Sequence, residues 1–166
     1  EELKKAIDQT IEDGLFSFVD IKFQIRALKQ IIDAGQIEEW AIKAGLNNQK
    51  NSIGHKVLCL HAGNLPLVGF QNALGVILSC ADFYVKISKK DPYLLPTFLE
   101  ELKQNGLENT SEYSTQLTAF KNSRVNKVLF AGSPESVPKV KKELNTLNAV
   151  STDVEYVIRT AKFSMA

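Results

Sequence analysis

Apolar and polar positions follow one rhythm up to about residue 50 and another after it. In the first stretch apolar side chains recur every three or four residues. Leu3, Ala6, Ile7 and Ile11 make one helical stripe, with Gly14 as a natural stop. Ile21, Ile25, Leu28, Ile31 and Ile32 make a second, which Asp20 can cap and Gly35 can end. Ile37, Trp40, Ala41 and Ala44 predict a third, short helix closing near Gly45. Leu46 to Gly54 is rich in Asn, Gln, Lys, Ser and Gly, and reads as a linker.

Beyond the linker, short apolar runs alternate with amphipathic stretches. Lys56 to Leu60 suits a strand buried on both faces, Phe83 to Ile87 and Lys127 to Ala131 predict two more strands, and Glu155 to Ile158 predicts a last strand that continues toward Ala166. Helices are expected over Pro66 to Cys80, Tyr93 to Asn105 and Val137 to Leu147. Segment 107–126 is polar, anchored by Leu117 and Phe120, and leaves a short helix or an irregular crossover open. This alternation predicts an α/β fold: a Rossmann-like, open, mostly parallel sheet with helices on both faces, preceded by an N-terminal helical segment. Residues 1–50 are expected to pack on a nucleotide-binding domain formed by 51–166.

Length and composition narrow the class. At 166 residues, 44% hydrophobic and 23% charged, the chain can bury a full core. A net charge of +1 argues against a general nucleic-acid binder. The longest apolar stretch, Leu65 to Ala81, is broken by Pro66, Gln71 and Asn72, so no membrane span is expected. Two cysteines, Cys59 and Cys80, are too few for a disulfide framework, which favours a reducing, cytoplasmic setting. No His/Cys/carboxylate spacing suits a metal.

In open α/β sheets, ligands bind beyond the carboxyl ends of the strands. Three such ends stand out here. His61-Ala62-Gly63-Asn64-Leu65-Pro66 joins a tight turn to an amide donor, with Pro66 suited to a first helical turn; a plain turn and helix start would also account for it. Lys86-Ile87-Ser88-Lys89-Lys90-Asp91-Pro92 puts cations and a hydroxyl at a strand tip, where they can hold phosphate or ribose oxygens or simply be solvated. Phe130-Ala131-Gly132-Ser133-Pro134-Glu135 offers a glycine for close approach and Ser133 or Ser136 as a helix cap.

In order and spacing, Gly63-Asn64-Leu65-Pro66, Val85-Lys86-Ile87-Ser88-Lys89 and Phe130-Ala131-Gly132-Ser133 resemble the cofactor domain of the aldehyde dehydrogenase superfamily. Ala62 to Pro66 is most similar to the Ala-Gly-Asn-x-Pro turn of its acyl-CoA reductase branch, which includes the aldehyde-supplying subunit of bacterial luminescence. The resemblance spans roughly Val57 to Ala166. It implies that Asn64 donates to the oxyanion of a tetrahedral intermediate. It also implies that Lys86 binds the adenosine ribose with Ser88 nearby, and that Gly132 and Ser133 line the adenine and pyrophosphate site.

Two positions depart from the family pattern. Lys89 stands where NAD-preferring members often carry Glu, and a lysine can pair with a 2′-phosphate but cannot accept ribose hydroxyls, so NADPH is expected over NADH. Val137 replaces a later glycine of the Gly-Ser motif.

The family's nucleophile is a cysteine thiolate that attacks an acyl thioester. Cys59, mid-strand, and Cys80, at the end of an apolar helix, both read as buried structural thiols. His61 shares a strand face with Cys59, but a strand interior is a poor place for a nucleophile. The reactive cysteine is therefore expected in a further domain, and these residues alone should bind nucleotide without turnover. Acyl-CoA is the substrate the resemblance implies; homo-oligomerisation is left open. Two alternatives remain: the same fold acting on an acyl phosphate or free aldehyde, and a nucleotide-binding or scaffold module without catalysis.

Overall fold

The structure, a computed structural model, describes residues 1–45, 54–106 and 111–159. Five strands form one sheet in the order β3-β2-β1-β4-β5, and every neighbouring pair is parallel. They are β1 (Lys56–Leu60), β2 (Asp82–Lys86), β3 (Ser111–Ser114), β4 (Val125–Ala131) and β5 (Val150–Arg159). The strand order reverses between β1 and β4, so the Rossmann-like arrangement expected from the alternating pattern is present.

Burial follows the two faces of the sheet. Along β1, Val57 and Cys59 point into one core while Leu58 and Leu60 point into the other. The first core is closed by α4 (Phe70–Leu78) and α5 (Leu94–Gln104), through Phe70, Ala73, Val76, Leu95 and Leu99. The second is closed by α6 (Ser136–Thr146) through Leu144, and by a 3-10 turn at Leu117–Phe120, where Phe120 meets Tyr84 edge-on at 6.3 Å between ring centroids. A strand buried on both faces needs a continuous apolar run, and Val57 to Leu60 supplies it.

The N-terminal helices are α1 (Glu2–Glu12), α2 (Phe18–Ile31) and α3 (Ala34–Lys43). Ala6, Ile21 and Leu28 join the first core, and the Tyr93 hydroxyl donates to Asp13 at 2.5 Å, tying the end of α1 to the start of α5. Asp20 is not the cap of α2. Ser17 is: its hydroxyl accepts from the Asp20 amide while the Asp20 carboxylate accepts from the Ser17 amide, a capping box. Gly35 does not end α2 either; it lies in the first turn of α3, where its amide donates to the Asp33 side chain. The expected linker lies outside the described residues up to Gly54.

Helix α4 begins four residues later than Pro66. Leu67 has φ of 54°, a left-handed conformation incompatible with helix, so the segment between β1 and α4 is a compact loop with Pro66 outside the helix. The undecided segment resolves into the short edge strand β3 and the 3-10 turn, with 107–110 outside the described residues. The last strand starts at Val150, five residues before the expected Glu155.

Candidate functional site

Because all five strands are parallel, the carboxyl ends of β1, β2 and β4 lie along one edge of the sheet. Leu60 is in register with Lys86 on one side and Phe130 on the other, and the His61 amide donates to the Lys86 carbonyl at 3.1 Å. The turn at Asn64, the lysine tip and the glycine bend at 132 therefore share this edge. They do not share one cavity. An open cleft of about 500 Å³ is lined by Gly63, Asn64, Lys86, Ser88, Lys89 and Lys90. Gly132 and Ser133 stand apart from it beyond β4.

Two loops build the cleft, and their contact explains the glycine. A Cβ on Gly63 would overlap the Ser88 hydroxyl, so only glycine lets the β1–α4 loop close on the loop after β2. Ser88 also accepts from the Lys90 amide at 3.1 Å, which folds the lysine tip back on itself. Asn64 and Lys89 are exposed, while Lys86 and Ser88 are half-buried. The Lys86 ammonium is held below the usual lysine range, first by burial and then by the nearby charge of Lys89, with Glu143 acting in the opposite sense. An anion between the two lysines would relieve both effects.

The site contains three groups that sequence reasoning passed over or set aside. Lys90 lines the cleft beside Lys89, and its place in the Lys-Lys-Asp-Pro run was its only signal. Asp91 is 4% exposed, and its Oδ2 accepts from the Leu67 amide at 2.6 Å, across from one loop to the other. His61 packs against Gly69, where a Cβ would strike the imidazole, and its Nε2 is buried without a partner. Burial, reinforced by Lys86, lowers its pKa to about 4, so the ring is neutral at pH 7.

The third strand end differs from expectation. Neither serine caps α6: Glu135 occupies the N-cap position, and the Ser136 hydroxyl donates to the Ser133 carbonyl at 2.6 Å. Pro138 lies in the first turn, where a missing amide costs little. Gly132 does allow a close approach, but what approaches is the Phe130 ring, which a Cβ at 132 would meet. The bend is filled by the chain's own side chain.

Cys59 is fully buried and burial raises its thiol pKa far above the usual range. Cys80 is not buried, contrary to expectation. It is exposed, at φ of 58°, where the chain leaves α4 to enter β2. That is the amino edge of the sheet, opposite the cleft. Among the described residues no group of three or more His, Cys, Asp or Glu could hold a metal, and no helix is long and apolar enough to cross a membrane.

A second hollow, of about 290 Å³, lies against α5 and is lined by Glu2, Glu100, Glu101 and Tyr113. Its carboxylates would repel a phosphate, which leaves the lysine cleft as the better anion site. No family model, curated protein or solved structure matches the chain.

Proposed function

We propose that this chain is the cofactor-binding portion of an acyl-CoA reductase, forming an aldehyde from an acyl thioester with NADPH, its reactive cysteine lying outside these residues. The observation that carries the reading is the convergence of Asn64 with Lys86, Ser88 and Lys89, from two separate loops, on one cationic cleft at the carboxyl edge. Five of the six residues lining that cleft, all but Lys90, lie in the segments that resemble the aldehyde dehydrogenase superfamily.

The donor set fits one end of the cofactor better than the other. Lys86 and Ser88 can hydrogen-bond a ribose, and Lys89 with Lys90 can pair with a 2′-phosphate. Gly132 and Ser133 fit the pyrophosphate less well, because Phe130 fills the space over the glycine. When bound, NADPH supplies hydride. The chain's part is to orient the nucleotide and, through the exposed Asn64 amide, to offer a donor at the edge where an oxyanion would develop.

The test is a titration of the protein with NADPH and NADH. Saturable NADPH binding, weaker for NADH by about tenfold as expected for one lost charge pair, supports the reading. Lys86→Ala should weaken NADPH binding by a similar factor, and Lys89→Glu should reverse the preference. Equal affinity for both nucleotides, or indifference to Lys89→Glu, would overturn the NADPH assignment; no binding of either would overturn the nucleotide reading itself.

A second reading is a nucleotide-binding module without catalysis; that no cysteine stands at the carboxyl edge among the described residues fits it as well as the first. The two readings separate on whether the full-length protein forms a covalent acyl-enzyme with labelled acyl-CoA.

A further inference from the structure

Asp91 is one of two polar side chains buried among the described residues; the other, Thr10, merely returns a hydrogen bond to the Ala6 carbonyl of its own helix. Asp91 instead reaches 24 residues back along the chain, from the loop after β2 to the loop after β1, to accept from the Leu67 amide at 2.6 Å. It is not the N-cap residue of α5, which is Tyr93, although the Leu94 amide at the start of that helix also draws on its carboxylate. Its Oδ1 is buried without a partner at hydrogen-bond geometry, and burial raises its pKa against the pull of the Leu67 and Leu94 amides.

A buried carboxylate is costly to keep, and its position says what it serves. Leu67, whose amide it holds, sits at φ of 54°, a left-handed conformation that strains a non-glycine residue. Three residues upstream is Asn64; just before Asp91 are Ser88, Lys89 and Lys90. Gly63 against Ser88 and Leu67 on Asp91 are thus two ties between the same two loops, one at each end of the Asn64 turn.

We infer that Asp91 is a positioning residue that locks the Asn64 turn against the lysine tip, holding the cleft in its binding shape. It touches no ligand itself. The ligand arm of the test below rests on the nucleotide reading of the cleft; the exchange arm does not.

Amide hydrogen exchange and NADPH titration are measured on the wild type, Asp91→Ala and Asp91→Asn. In the wild type the Leu67 amide, although in a loop, should exchange as slowly as amides of β1. Asp91→Ala should speed exchange at Leu67 by roughly 100-fold and loosen 63–69 and 86–90, leaving β1 and β4 unchanged. The same variant should bind NADPH about tenfold or more weakly, and Asp91→Asn, which keeps an acceptor of the same shape, should restore both readouts to within about twofold of wild type.

Unchanged exchange at Leu67 in Asp91→Ala would overturn the inference. So would uniform loosening of the whole sheet, or an Asn variant no better than the Ala variant. If the wild type binds no NADPH, the functional proposal falls while exchange still judges Asp91. If Asp91→Ala does not fold, the wild type and Asp91→Asn decide: a protected Leu67 amide in both supports the tie, and free exchange in either overturns it.

Discussion

Single residues at the carboxyl edge work against their own solvation. His61 shows the consequence most directly. Its folded pKa, about 4, lies below the unfolded value of about 6.5, so the folded state favours the neutral ring. Stability from this residue is fully present above pH 6.5 and is lost as pH falls toward 4, by an amount on the order of 3 kcal/mol. Denaturant unfolding as a function of pH should show this loss, and His61→Leu should flatten the curve between those limits. Asp91 behaves oppositely. Its raised pKa means that the carboxylate costs the fold stability above its folded value, which protonation relieves in acid. Sequence periodicity exposed neither effect, because pattern reports which side chains are apolar and not which polar ones are enclosed. Cys80 is the converse case. It closes an apolar helix and reads as buried, yet the left-handed turn into β2 swings it to solvent.

At the scale of elements, apolar periodicity located every α-helix and four of the five strands among the described residues; the ends were set by local hydrogen bonding. In α2 the cap is Ser17, three residues before Asp20, because the two side chains satisfy each other's amides. Removing that arrangement by Ser17→Ala should cost about 1 kcal/mol in chemical denaturation, with a slope unchanged from wild type. The start of α4 was hidden for a different reason: Pro66 is suited to a first turn, but Leu67 adopts a positive φ that Asp91 holds from another loop. Strand β3 was missed because Ser111–Ser114 carries a single aromatic residue, Tyr113, and no apolar alternation. It is an edge strand, and its partner β2 supplies the order that its own sequence does not.

Over the whole molecule, two cores on opposite faces of one sheet hold the carboxyl edge in place. The second core is the smaller, and α6 contributes to it a single fully buried residue, Leu144. Leu144→Ala should therefore cost about 2–5 kcal/mol in thermal or denaturant unfolding, more than truncation of the half-buried Val140 on the same helix. The exposed face of β5 carries Glu155, paired across the ladder with Lys127 of β4 at 2.9 Å, beside Val157, which is 38% exposed.

Alternation of apolar runs with amphipathic stretches was enough to establish the α/β class, since a parallel strand must be apolar on both faces and a covering helix on one. Motif order along the chain likewise brought out Asn64, Lys86, Ser88 and Lys89 together. Which strands are neighbours and how the two loops close on each other came from folding alone. Those outcomes depend on contacts between residues tens of positions apart, such as Leu67 with Asp91, and on the absence of a Cβ at Gly63. No local pattern carries such information, because the energy of each contact exists only once both partners have been brought together.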